Sequence, residues 1–195
     1  MSKTTLSKSD RTRQRILDAA AAAFREHGVD QVGVRDIMKL AGLTRGGFYF
    51  HFDDKDALLA EATREAARSN AASHASWAEK APKGKRLQTF IEQYLSEEHR
   101  DNPQRGCFLA AFGGEIGRSS APQRKAFTEA VGMVVDGIAA LLPGTSHAKR
   151  KTQAELLISS MAGVVSASRA ISDRAQSAAL LAAARKFYSE TFKEA

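Results

Sequence analysis

The chain has one cysteine, Cys107, so an internal disulfide is excluded and no CxxC pair or Cys/His set is available for structural zinc. No apolar stretch continues for the roughly 18 residues that a membrane-spanning helix needs. The start, MSKTTLSKSDRTRQR, is polar and basic rather than a secretory leader, and we expect a cytoplasmic protein. Internal repeats, low-complexity tracts and convincing strand-like alternation are also missing. So are a phosphate loop, a Ser/His/Asp constellation and a resolving cysteine. These absences weigh against a helical enzyme such as a transferase or a single-cysteine peroxidase, and we expect no catalytic residue, no metal and no cofactor.

The rest of the composition is that of a globular protein. With 195 residues, 43% hydrophobic and 26% charged, the chain can bury one core or two small ones. The net charge of +7 favours a polyanion as partner without naming it. Lys3, Lys8, Arg11, Arg13 and Arg15 stand against Asp10 alone within residues 1–15. Such an arm ahead of a helix can reach DNA phosphates or a minor groove, or it can be a solvated tail, and charge alone leaves both open.

Helical periodicity dominates, and the spacing predicts an all-α chain of about nine helices. The first runs from about Asp10 to His27 with Ile16, Leu17, Ala20 and Phe24 on one face, and stops at Gly28. A short helix over 34–40 presents Val34, Ile37 and Leu40 inward. Gly42 breaks it, Thr44 is placed to cap a third helix over Arg45–Phe50, and Asp53 and Asp56 frame the start of a fourth. The fourth helix loses its pattern beyond Ser69. Further helices are expected around Leu87–Leu95, from Cys107 to Ile116, from Ser120 to Leu142, from about Ser146 to Ile171 and from about Ala175 to Phe192.

Residues 42–52, GLTRGGFYFHF, hold four of the fourteen aromatic residues and two adjacent glycines. A glycine inside a helix costs about 0.8–1 kcal/mol against alanine, so these two need a reason. Short helix, tight turn and second short helix make a helix-turn-helix over about 33–52, in which the second helix enters the DNA major groove. Arg45 leads that helix and can donate to guanine or to phosphate. Gly46 and Gly47 remove side chains that would hold the helix off the duplex. Thr44, Tyr49, His51 and Lys55 suit phosphates, and Phe48 and Phe52 would lock the motif onto the first helix.

The run VRDIMKLAGLTRGGFYFHFDDKDALL, residues 34–59, with ILDAAAAAFREHG upstream, resembles the N-terminal domain of the TetR family of bacterial transcriptional regulators. The resemblance covers residues 10–70 and adds Arg35 to the DNA-binding set. It departs at Gly33, where many members carry a Ser or Thr that caps the second helix and touches a phosphate, and at Gly47, where Thr or Ser is frequent. It implies a DNA-binding domain over 10–70 and a helical ligand-binding and dimerisation domain over 71–195. The function it implies is that of a repressor on a palindromic operator, acting as a homodimer and released by a small apolar or electrophilic inducer. A purely architectural or recombinase role would leave about 140 helical residues without a task.

By composition the set Trp77, Phe90, Tyr94, Phe108, Phe112, Phe127 and Val131 is equally a packed core, and only the resemblance makes it a ligand box. Ser159, Gly163 and Ala167, spaced by four, fit either a dimer contact, as the resemblance implies, or tight packing within one subunit. Cys107 follows Arg105 and Gly106 at a helix start, where a thiolate would be favoured. It is read both as a sensing thiol in the ligand box and as an inert buried hydrophobe.

Overall fold

The computed structural model describes residues 7–192; Lys3 of the basic arm lies outside them. The described residues form nine α-helices, two 3-10 helices and no strand. The helices are α1 (Lys8–His27), α2 (Val34–Leu40), α3 (Lys55–Glu79), α4 (Arg86–Tyr94), α5 (Glu97–Asp101), α6 (Phe108–Ile116), α7 (Ala121–Ala139), α8 (His147–Ala170) and α9 (Arg174–Thr191), with 3-10 helices at Arg45–Phe50 and Pro103–Arg105. The all-α expectation holds. Among these residues no helix is long and apolar enough to cross a membrane, and no three His, Cys, Asp or Glu gather to hold a metal ion.

Local chemistry sets the boundaries. Ser7 and Asp10 cap α1 reciprocally, with Asp10 N donating to Ser7 Oγ at 3.0 Å and Ser7 N donating to Asp10 Oδ2 at 3.1 Å. The helix therefore begins at Lys8 rather than about Asp10, and residues 8–15 of the expected arm are its first turns. Gly28, at φ 82°, ends it. In α2 the inward residues are Ile37 and Met38, while Leu40 is 64% exposed and Val34 only half-buried. A seven-residue helix is too short for periodicity to fix its phase, and the inward-facing expectation for Leu40 is corrected here.

The α3 cap is Asp54, whose Oδ1 accepts from Ala57 N at 2.7 Å, and not Asp53. Replacing Asp54 by alanine should lower stability by about 1 kcal/mol. For a chain of this length that is about 2–4 °C in the melting midpoint, and calorimetry measures it. An unchanged midpoint would mean that the α3 start is held by packing alone.

Leu58, Leu59, Ala62, Ala66 and Ala67 continue a buried stripe along α3, which runs to Glu79 and so passes through the boundary expected at 70/71. The small residues let α3 pack along α7, and Arg64 Nε meets Glu129 Oε2 at 2.8 Å across that contact. The buried core is continuous from Ile16 of α1 to Tyr188 of α9. The helices that follow α3 thus share one core with those that precede it.

Candidate functional site

The turn between α2 and the 3-10 helix is built on Gly42, whose φ of 66° requires glycine. Leu43 N donates to Met38 O at 2.8 Å, and Gly42 N to Lys39 O at 3.0 Å. Arg15 of α1 donates to Ala41 O from below. Phe48 and Phe52, ring centroids 5.7 Å apart, anchor the segment in the core. The Arg13 guanidinium lies 4.7 Å over the Phe52 ring and is paired with Glu61. Arg13 and Arg15, read from sequence as part of a basic arm, are thus engaged inside the fold.

The second helix of the motif is a 3-10 helix over the range expected for it. Gly47 N donates to Thr44 O and His51 N to Phe48 O, at 3.1 and 2.9 Å. Two adjacent glycines weaken the α-helical alternative, and the tighter turn is the result. Thr44 occupies the capping position but its side chain makes no capping bond; the capping expectation for it is corrected, and the residue is exposed.

The glycines answer the question raised by the sequence. A Cβ built on Gly46 would meet nothing within 4 Å, and one on Gly47 would meet Met38 Cε at an ordinary 3.7 Å. Neither residue has a positive φ. Among the described residues nothing requires glycine at 46 or 47.

Around this ridge the exposed residues are Arg35, Thr44, Arg45, Gly46 and Tyr49, with Gly47 and His51 half-buried. Two open hollows meet at Leu43 and Thr44. One, of about 530 Å³, is flanked by Arg35, Lys39 and Arg45. The other, of about 420 Å³, lies between Lys8, Ser9 and Thr12 of α1 and Gly47, Phe50 and His51.

Lys55 is placed differently from the expectation. Its ammonium donates to Val29 O at 2.7 Å and sits 6.0 Å over the Phe24 ring, so it serves the fold and not the open face. The Gly33 amide, which could have replaced the missing Ser or Thr hydroxyl, is taken by Asp36 Oδ2 at 3.2 Å.

The face also holds residues that sequence reasoning missed: Lys39, Leu40 at 64% exposure and Phe50 at 89%. The signal for Phe50 was present, because Phe48 and Phe52 cannot both turn inward without turning Phe50 outward.

The expected ligand residues form a packed interior. Phe90, Tyr94, Cys107, Phe108 and Phe112 are fully buried, while Trp77, Phe127 and Val131 are half-buried. They divide into two groups of rings. Trp77, Phe90 and Tyr94 gather around His74, with centroids 5.3, 5.0 and 6.0 Å from its ring. Phe108 packs against Phe112 and Phe127 at 6.1 and 5.3 Å.

Trp77 lines a hollow of about 210 Å³ shared with Ser73, Gln93, His99 and Arg105. Ligand sites usually measure about 300–1,000 Å³.

Burial also decides the state of the polar groups here. It pushes the Cys107 thiol up, outweighing the Tyr94 hydroxyl, the Ala110 and Leu109 amides and the Arg169 guanidinium, which pull it down. The thiolate favoured on sequence grounds is therefore not the resting state. Burial holds His74 at about 3, assisted by His99, and His99 itself at about 4. His99 Nε2 accepts from Cys107 N at 3.0 Å, and its Nδ1 meets Tyr94 O at 2.5 Å. His74 Nδ1 and Tyr94 Oη are buried without a hydrogen bond of good geometry, although the Cys107 thiol interacts with the Tyr94 hydroxyl.

Comparison with known proteins bears on both regions. Residues 16–62 match the model of the bacterial regulatory proteins, tetR family. The HTH-type transcriptional regulator AcrR of Shigella flexneri is 43% identical over 61 residues, covering 31% of this chain and 28% of that protein. The regulator TtgR of Pseudomonas putida is 41% identical over 59 residues, covering 30% of this chain and 28% of that protein. The matched stretch thus spans less than a third of either relative.

Over nearly the whole chain the likeness is one of fold. A TetR family regulator from Cytophaga hutchinsonii superposes with a TM-score of 0.74 at 21% identity, covering 96% of this chain and 98% of that one. The reduced form of NemR from E. coli superposes at 0.71 and 18% identity, covering 92% and 96%.

Proposed function

We propose that the chain belongs to the TetR family through its N-terminal domain and that it is a DNA-binding transcriptional regulator, a repressor rather than an enzyme, gripping a palindromic operator as a homodimer. The observation that carries this reading is the pair Gly46 and Gly47, which the fold leaves free to be larger and which stand beside Arg45 on an exposed ridge. A duplex approaching that ridge explains both glycines. Arg35, Lys39 and Lys8 are placed for phosphates on either side, Arg45 for a guanine edge, and Phe50 and Leu40 for thymine methyls.

Dimerisation is supported by faces that one subunit leaves uncovered. On α8, Leu156, Ser159, Gly163 and Ala167 are exposed, and on α9 Ala175, Ala179, Ala183 and Phe187 are. A Cβ on Gly163 would meet nothing within 4 Å, so small size there serves a contact outside the subunit. We assign these faces to the partner copy.

We place the inducer behind Trp77, where His74 Nδ1 is buried without a hydrogen bond and Tyr94 Oη has only the Cys107 thiol beside it. An uncharged aromatic molecule with one or two hydrogen-bonding atoms fits those groups, and its entry requires Trp77 to turn. An electrophile at Cys107 fits less well, because the thiol is buried and protonated.

Titrating the operator and a scrambled duplex with the wild type and Arg45→Ala tests the reading. Loss of a bidentate base contact should reduce discrimination by about 1–3 kcal/mol. An unchanged ratio of the two affinities would remove Arg45 from base reading.

A further inference from the structure

α6 ends in Phe112-Gly113-Gly114-Glu115-Ile116, and the Glu115 carboxylate reaches out of its own helix to the loop that follows α1. Its Oε2 accepts from Val29 N at 2.8 Å and, at a longer 3.4 Å, from Asp30 N. Its Oε1 lies 2.9 Å from where a Cβ on Gly28 would stand. Gly28 is therefore glycine for two reasons, its φ of 82° and the space the carboxylate takes. From the other direction Lys55 Nζ, on the first residue of α3, donates to Val29 O at 2.7 Å. Val29 is held at its N–H by α6 and at its C=O by α3, while its own side chain is buried.

The loop leads after Gly33 into α2, the first helix of the DNA-reading motif. Gly28 N still donates to Phe24 O at 3.0 Å and closes α1, whereas the next two N–H groups turn to Glu115 and not to the free carbonyls of the last turn. A purely local solution would have been a side chain on the loop itself. The acceptor comes instead from a helix whose other contacts are with α7 and α8 as well as α1 and α3.

We propose that Glu115 is a positioning residue for the DNA-reading face, transmitting the placement of α6 to the Gly28–Asp30 loop and through it to α2 and the 3-10 helix. The motif then has two supports from the helical body, α3 running directly out of it and α6 holding its entry loop. A displacement of α6 alters the tilt of α2 without any change in the residues that touch DNA. The proposal rests on the DNA-binding reading above for its consequence, but not for its detection.

The test compares the full-length wild type with Glu115→Ala and Glu115→Gln. Glutamine keeps an acceptor oxygen at the same reach, and alanine keeps none. In Glu115→Ala the exchange protection of the Val29 amide should be lost and the amide resonances of residues 35–49 should shift. Operator affinity should fall about tenfold, the order that loss of a hydrogen bond to a charged group allows. The salt dependence of binding should stay as it was, because Glu115 touches no phosphate. Glu115→Gln should return all of these towards the wild type.

Persistent Val29 protection in Glu115→Ala would overturn the proposal, as would loss of protection with residues 35–49 and affinity both unmoved. A wild type that prefers no duplex would instead sink the DNA-binding reading, and the amide readout would still decide whether Glu115 positions the motif. Should the alanine variant not fold, Glu115→Asp, one methylene too short, takes its place in the same comparison.

Discussion

Gly47→Leu should abolish sequence-specific DNA binding in a protein that still folds. The fold has room for the change. The nearest atom to a Cβ at 47 is Met38 Cε at 3.7 Å, the flexible end of a side chain, and the backbone is not in the left-handed region. Replacing a helical glycine by a better helix former even favours the segment locally. Outside the chain the situation reverses. An isobutyl group rising from the ridge between Arg45 and Phe50 would hold the 3-10 helix away from the base edges, so several contacts are lost at once. We expect specific affinity to fall by about 100-fold or more, equivalent to about 2.7 kcal/mol, with an unchanged helical spectrum and melting midpoint. Normal affinity in the folded variant would mean that no partner approaches this ridge closely.

The second large effect is acid sensitivity. His74 and His99 are neutral in the fold because burial holds them at about 3 and about 4, whereas the unfolded chain protonates them near 6.5. Between those values the unfolded state binds more protons, so stability rises with pH there. The contribution is complete above about pH 6.5 and is lost as pH falls from about 6.5 towards 3–4. For His74 alone the full loss is on the order of 4–5 kcal/mol, a large part of the roughly 5–15 kcal/mol that stabilises a typical domain. Urea midpoints should therefore decline steadily from pH 7 to pH 4. In His74→Leu, which also removes an unpartnered buried nitrogen, the decline should be markedly shallower. Parallel pH profiles for the two proteins would show that His74 does not titrate across folding.

The contrast between these two regions explains what the sequence could disclose. The helix-turn-helix was legible because its constraints are local: Gly42 needs its positive φ, Phe48 and Phe52 share a face, and Gly46-Gly47 resist any intrachain explanation. Of the long helices α7 was legible, since it carries enough turns for periodicity to fix its phase, whereas α3 lost its pattern beyond Ser69 and yet runs to Glu79. Among the short ones α4 was legible and the facing of α2 was not. In seven residues of α2 the choice between Leu40 and Met38 rests on packing against α1 and the 3-10 helix, and Asp53 and Asp54 are adjacent residues of one type, of which only Asp54 accepts from Ala57 N.

The aromatic cluster was ambiguous for a different reason. Trp77, Phe90 and Tyr94 look the same in a one-dimensional pattern whether they line a cavity or fill it, and that difference lies in how His74 and His99 pack among them. The Cys107 thiol depended on the same three-dimensional fact. Its place beside a helix start was readable, but the burial that outweighs this was not. Glu115 was invisible for want of proximity, because it stands 86 residues from the amide it holds.

The central claim is that the ridge of Arg45 to Phe50, with Arg35, Lys39 and Lys8 beside it, is a duplex-reading surface. The most direct measurement is the affinity of the full chain for duplexes selected from a random pool, followed from about 50 to 200 mM salt. The account predicts enrichment of a two-fold symmetric sequence whose half-sites recur at about one helical turn, roughly 34–36 Å, or a multiple. It predicts a log–log salt slope of roughly −3 per bound protomer from Lys8, Arg35 and Lys39. No enrichment together with a slope near zero would contradict it.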